Sequence, residues 1–120
     1  MIMNPKCQKK AQEEIERVIG ERRPKLSDKP NLPYIEATYL EALRCANLVP
    51  IFQPFQTQED TQVLGFKVPK NTNYLVNVSA IHHDPTVWEK PGEFLPERFF
   101  NENAKTQFKY QGFLPFGTSK

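Results

Sequence analysis

Glu41 and Arg44 stand three positions apart in the stretch Pro33-Tyr-Ile-Glu-Ala-Thr-Tyr-Leu-Glu-Ala-Leu-Arg-Cys-Ala46. At 3.6 residues per turn they share one side of a helix. What such a pair can do depends on water. In solvent it contributes roughly 0–1 kcal/mol. When buried, its loss costs on the order of 3–5 kcal/mol, and every remaining donor needs an acceptor. Arginine has five donors and one carboxylate accepts two of them, so a further partner is expected from elsewhere in the chain. On spacing alone a plain surface pair stays open. His82-His83-Asp84 invites a metal, but adjacent residues of an extended chain point to opposite sides, so the two imidazoles would not converge. No metal site is expected there. Cys7 and Cys45 make no disulfide framework, and Cys45, beside Arg44, reads as a small half-buried thiol.

The elements that must position these groups can be read in order. Asn4 and Pro5 mark a helix start and Gly20 its stop. Cys7, Ala11, Ile15, Val18 and Ile19 form its apolar face. Lys9, Lys10, Glu13, Glu14, Glu16 and Arg17 form a charged one, with Glu13 and Arg17 in the favourable order. Residues 21–29 read as a connecting loop. The second helix begins near Asn31 and ends before Pro50. Ile35, Tyr39, Ala42, Leu43 and Ala46 make one stripe on it, and Ala37, Leu40 and Leu48 flank Glu41 and Arg44. A helix apolar nearly all round is a buried helix, which favours the buried reading of the pair.

Beyond Pro50 the prolines exclude long helices. Residues 51–55 read as an irregular or edge strand. Thr61 to Val68 and Tyr74 to Ala80 read as two strands of a small antiparallel sheet. Asp84-Pro85 reads as the start of a short helix carrying Val87 and Trp88, with Trp88 a core anchor. From Lys90 the chain is loop-like yet rich in buried-type residues: Phe94, Phe99, Phe100, Phe108, Tyr110, Phe113 and Phe116. Such a segment must lie against something larger than the preceding ninety residues offer. Arg98, the only arginine after Arg44, is the candidate second partner for Glu41.

Composition narrows the classes. The 120 residues make one domain at most, and a net charge of +2 with dispersed lysines gives no footprint for nucleic acid. No apolar run approaches the ~18–20 residues of a membrane span, and no signal peptide precedes the first helix.

Three phrases carry a resemblance: Glu41-Ala-Leu-Arg44, then Pro91-Gly-Glu-Phe-Leu-Pro-Glu-Arg-Phe99, then Phe113-Leu-Pro-Phe-Gly117. In this order and spacing the chain resembles the C-terminal part of a cytochrome P-450, over essentially its whole length. Pro69-Lys70, His82-His-Asp-Pro85 and Pro96-Glu-Arg-Phe99 look most like animal microsomal members, near the steroid 17-hydroxylating and xenobiotic-oxidising branches. The resemblance implies an α+β piece of a mainly helical parent fold, within a single domain. Residues 1–48 would be two helices, 49–84 the small sheet, and 85–120 the loop region leading to the haem loop.

By the same resemblance Glu41, Arg44 and Arg98 match a triad that locks the core and is needed for haem incorporation. Phe55, Phe116 and Gly117 would face haem b, and Leu48, Val49, Ile51 and Gln53 the substrate. The implied whole protein is a haem-thiolate monooxygenase. It would insert one oxygen atom from O2 into a small lipophilic steroid or xenobiotic, with electrons from NADPH through NADPH–cytochrome P-450 reductase. Its implied place is the cytosolic face of the endoplasmic reticulum membrane, held by an N-terminal anchor not in this sequence. Two departures stand out. The axial cysteine would be the third residue beyond Lys120, with Ser119 where the family's loop has a second glycine. Phe55 stands where many microsomal members carry a His or Arg for a haem propionate. A short non-catalytic product, acting as a binding or structural module, is the alternative. An independent α+β domain is a third reading, against which the apolar helix and aromatic tail count.

Overall fold

The computed structural model describes residues 2–100 and 112–117. Phe108, Tyr110, Ser119 and Lys120 lie outside the described residues. The first helix, α1 (Pro5–Val18), has Pro5 in its first turn and ends where Ile19 and Gly20 both donate to the Ile15 carbonyl. Gly20 takes the left-handed φ of 62° that permits this turn. The Asn4 side chain makes no capping bond, so proline geometry and the Asn4 carbonyl start the helix instead.

One element of the charged face departs from the reading above. Glu14 is buried, while Ile15 on the nominally apolar face is exposed. The Glu14 carboxylate accepts the amides of Tyr34 (3.0 Å) and Ile35 (2.9 Å), which open the second helix, α2 (Pro33–Ala46). Those are orphan donors at a helix N-terminus, where a carboxylate also meets the favourable end of the macrodipole. Glu13 pairs with Lys9 rather than Arg17, and Arg17 leans toward Glu14.

Between the helices, residues 21–29 are partly ordered as a 3-10 turn over Leu26–Asn31. Arg22 reaches both Asp28 oxygens, at 2.8 and 2.7 Å, and the Lys25 amide adds a third bond at 2.7 Å. Helix α2 then starts at Pro33 and stops at Asn47, which adopts φ 43° and donates to the Leu43 carbonyl.

The sheet region forms two antiparallel ribbons. Strands β2 (Thr61–Val63) and β3 (Phe66–Val68) pair through a two-residue turn at Leu64-Gly65, so the reading of 61–68 as one strand gives way to a hairpin. Both turn residues have positive φ (49° and 88°), the geometry that matches hairpin twist. Strand β1 (Phe55–Gln56) pairs with β4 (Asn73–Tyr74). An Ile51–Asn77 bridge extends this ribbon.

The strand read over Tyr74 to Ala80 is overturned past Tyr74. Val78–His82 is a short helix, α3, because the Asn77 side chain accepts the Ala80 amide at 3.0 Å and caps it. Asp84-Pro85 opens a turn rather than a helix, with Asp84 Oδ1 accepting from Thr86 and the Asp84 carbonyl from Val87 and Trp88. A second 3-10 turn, Pro96–Phe99, lies against α2.

The core is small. Ala37, Leu40, Trp88 and Phe99 form it, with Phe100 and Phe113 packed at its edge. The described part of α2 is buried on the Glu41–Arg44 side, whereas the stripe carrying Tyr39, Ala42 and Ala46 is open. The radius of gyration is 18.4 Å, with extents of 59 × 29 × 27 Å. A compact domain of this length has about 14 Å, so the chain is extended for its size and leaves apolar faces uncovered.

Candidate functional site

Among the described residues the buried pair is the best-bonded point. Glu41 and Arg44 are both fully inaccessible to solvent. Arg44 Nε donates to Glu41 Oε2 and Nη2 to Oε1, each at 2.9 Å, the bidentate fork that guanidinium geometry favours. Its Nη1 donates to the carbonyls of His82 (2.7 Å) and Pro91 (2.9 Å). Nη2 also faces the Glu93 carbonyl at 3.2 Å and the Cys45 sulfur at 3.1 Å. The five donors are thus all engaged, and the extra partners expected from elsewhere are backbone carbonyls of 82–93. Burial works against the charged guanidinium, yet the Glu41 carboxylate holds its pKa above the usual value. The Trp88 ring lies 5.3 Å from the guanidinium carbon, in cation–π range.

Glu41 has further partners. Its Oε1 accepts the Leu95 amide at 2.9 Å and Arg98 Nε at 3.2 Å. Arg98 spends its other nitrogens on the carbonyls of Glu89 (2.7 Å), Lys90 (3.2 Å) and Glu93 (3.3 Å). One carboxylate and two guanidinium groups therefore gather the 89–98 loop around α2. Burial raises the Cys45 thiol to about 11, which keeps it protonated and unreactive beside this cluster.

Next along the chain, Glu97 ties the same turn to α1. Lys10 Nζ donates to its Oε1 at 2.6 Å, and the Tyr34 hydroxyl donates at 3.4 Å. Burial opposes ionisation of Glu97, but the Lys10 ammonium outweighs it and holds the carboxyl below its usual range.

A recess of about 320 Å³ lies between the 52–55 segment and the 114–117 segment. Phe52, Pro54, Phe55, Val76, Leu114 and Phe116 line it, with Gln53 and Gly117. Gly117 has φ 87°, and a Cβ there would stand 3.1 Å from the Phe52 ring, so only glycine brings the two segments this close. Phe55 stacks on Tyr74 with centroids 5.4 Å apart. Phe55, Phe116, Gly117 and Gln53 come together here. Leu48, Val49 and Ile51 do not, and all three side chains are exposed.

Sequence reasoning missed one buried carboxylate and one short helix. Glu14 was hidden in a charged run, although its three-residue step from Ala11 places it on the packed side. His82 and His83 do part from each other, through the end of α3 rather than along a strand: His82 is buried and His83 exposed. The signal for α3 was Asn77, a cap type three residues before Ala80.

The model of the family described as cytochrome P450 matches residues 1–118. The chain belongs to the cytochrome P450 family. It is 46% identical to cytochrome P450 2U1 of Mus musculus and 45% identical to that of Homo sapiens, each over 100% of this chain. Cytochrome P450 1A1 of Homo sapiens is 49% identical over 87% of the chain. These matches span only 23%, 22% and 20% of the respective relatives' length. Membership in the P450 family implies a haem iron as cofactor of the full-length protein. The recess suits the face of a porphyrin, being walled by aromatic rings and tightened by Gly117. Its described lining carries no cation, so a propionate would find no charge partner at Phe55.

Proposed function

We propose that this chain is the part of a haem-thiolate monooxygenase that locks the core and closes on one face of the haem. The supporting observation is the cluster in which Glu41 accepts from both Arg44 and Arg98, and the two guanidinium groups bind the 82–93 carbonyls with every Arg44 donor engaged. Residues 1–48 supply the two long helices, 49–84 the ribbons and α3, and 85–120 the approach to the haem loop, all within one larger domain. Glu41, Arg44 and Arg98 hold the scaffold needed for haem incorporation. Phe55, Phe116 and Gly117 would pack on the macrocycle, and a thiolate-bound haem would supply the chemistry of O–O cleavage. The protein's own part is to bind, orient and exclude water.

Leu48, Val49, Ile51 and Gln53 face the substrate side, and the apolar character of the first three fits a lipophilic substrate, steroid or xenobiotic. One oxygen atom from O2 enters that substrate, with electrons from NADPH delivered by a reductase. The place of action is the cytosolic face of the endoplasmic reticulum membrane. Among the described residues no helix is long and apolar enough to cross a membrane. The family resemblance puts the anchor at the N-terminus of the whole protein.

The test is made on the full-length protein that carries this segment. After reduction and addition of carbon monoxide it should show the spectrum of thiolate-ligated haem, and lipophilic compounds should be oxygenated at the expense of NADPH. A full-length protein that folds but takes up no haem would end this reading.

A further inference from the structure

His82 closes α3 and is fully buried. Its carbonyl accepts Arg44 Nη1 at 2.7 Å, and its ring Nε2 accepts the Leu114 amide at 3.0 Å. The ring stacks on Phe113 (5.9 Å, 25°) and meets Trp88 edge-on (6.4 Å, 88°). An amide N–H only donates, so Nε2 must be the bare nitrogen and Nδ1 must carry the proton. Among the described residues, that Nδ1 is buried with no hydrogen-bond partner. Burial first, and then the Arg44 charge, lower the ring's pKa, in keeping with a neutral imidazole.

A buried donor without a partner costs stability. Phenylalanine would fill the same space and stack on the same rings without that cost. Packing alone therefore gives no reason for histidine here. What histidine adds is the acceptor at Nε2. The donor it takes lies at a sparse point of the chain, because Pro115 follows Leu114 and has no N–H.

We propose that His82 is a positioning residue: its carbonyl holds Arg44 while its Nε2 holds the Leu114 amide, so the 113–117 segment is set in register with the buried Glu41–Arg44 pair. This rests on the haem-thiolate reading, in which 113–117 leads into the haem loop. His82 touches neither haem nor substrate in this role. It sets where the loop begins, and so how well a thiolate further along can meet the iron.

The test compares full-length wild-type protein with His82→Phe and His82→Gln, each equilibrated with haem. Glutamine can place an amide oxygen where Nε2 stood; phenylalanine keeps the ring and loses the acceptor. The readouts are total haem, the ratio of thiolate-ligated to other haem in the reduced carbon monoxide complex, and hydrogen exchange at the Leu114 amide. His82→Phe should lower that ratio and speed that exchange about fivefold, equal to ~1 kcal/mol at 1.4 kcal/mol per factor of ten, with His82→Gln staying within roughly twofold of wild type. An unchanged ratio in His82→Phe, or a loss in His82→Gln as deep as in His82→Phe, overturns the proposal. If His82→Phe does not accumulate, His82→Gln decides alone, by keeping or losing the wild-type ratio. If wild type itself holds no thiolate-ligated haem, the haem-thiolate reading fails separately. Leu114 exchange in the haem-free proteins then decides the positioning role, and equal rates in wild type and His82→Phe end it.

Discussion

Around Arg44 every donor meets an acceptor in a space closed to water, whereas between Ile51 and Asn77 no residue is buried. The first region is held by charge and backbone carbonyls, the second by ribbons of two or three residues per strand. Leu64 and Phe66 on the hairpin are 94% and 75% exposed. Two-stranded ribbons are marginal in water without a covering face. The difference teaches where specificity resides. A buried ion pair admits few alternative arrangements, while an uncovered ribbon takes its final form from whatever packs on it.

The strongest way to break this contrast is Arg44→Lys. Lysine keeps the charge but has three donors and no planar fork, so Glu41 and several carbonyls lose partners. In the full-length protein the change should cost about 3–5 kcal/mol in urea unfolding and abolish haem retention. Gln62→Ala on β2 should move the same midpoint by no more than about 0.5 kcal/mol. Equal, small effects at both sites would show that the two regions do not differ as described.

Glu14→Ala probes the other buried carboxylate. It strips the acceptor from the Tyr34 and Ile35 amides, and a lost cap of this kind should cost about 0.5–2 kcal/mol. Thermal or urea unfolding that matches wild type would mean water replaces the carboxylate without loss.

The hairpin offers a change of opposite sign. Leu64 holds φ 49°, which costs a leucine roughly 1–2 kcal/mol, and Asn-Gly is the favoured pair for such a turn. Leu64→Asn should stabilise the hairpin by up to about 1 kcal/mol, seen as slower exchange of the Val63 and Phe66 amides. Faster exchange would show that the leucine side chain has a covering partner in the full protein.

The smallest effect is a titration. The Arg22 guanidinium, bonded to both oxygens, and the Lys25 amide hold Asp28 at about 2, below the ordinary 3.8. A depressed carboxyl favours the folded state above its unfolded pKa and loses that contribution as pH falls toward the folded value. The Arg22–Asp28 contact should therefore persist at pH 4 and above and be lost as pH approaches 2, followed by NMR of the Asp28 carboxyl. A midpoint near 3.8 would show that the bidentate contact does not persist in solution.

How much was legible follows the same division. Helices α1 and α2, the burial of Glu41 with Arg44, and Arg98 as a partner of Glu41 could be read because each depends on local spacing or on a residue type that is scarce nearby. Trp88 was readable because a large apolar ring has few other places to go. The break of 61–68 at Leu64-Gly65 was harder, since leucine is a poor signal for a left-handed turn. Helix α3 was missed because alternation of Tyr74, Val76, Val78 and Ala80 outweighed the cap at Asn77, whose effect is a single side-chain bond. Glu14 was misread because its reason for burial lies twenty residues away in the amides of α2. Arg44's carbonyl acceptors were beyond reach, as backbone groups carry no residue-type signature.

The bonds from Glu41 to Leu95 and Arg98 span 54 and 57 residues of chain. A ribosome adding about 5–20 residues per second needs roughly 3–11 s to supply the second partner after the first. Throughout that interval α2 has both charged groups made but their enclosure missing, and water must solvate them. The cluster is therefore a late-closing joint: it can set only after the Pro96–Phe99 turn has left the exit tunnel. A chain that stalled or was cut before that turn would carry an open carboxylate and guanidinium on an otherwise apolar helix face, with the Arg98 and Leu95 partners of Glu41 missing.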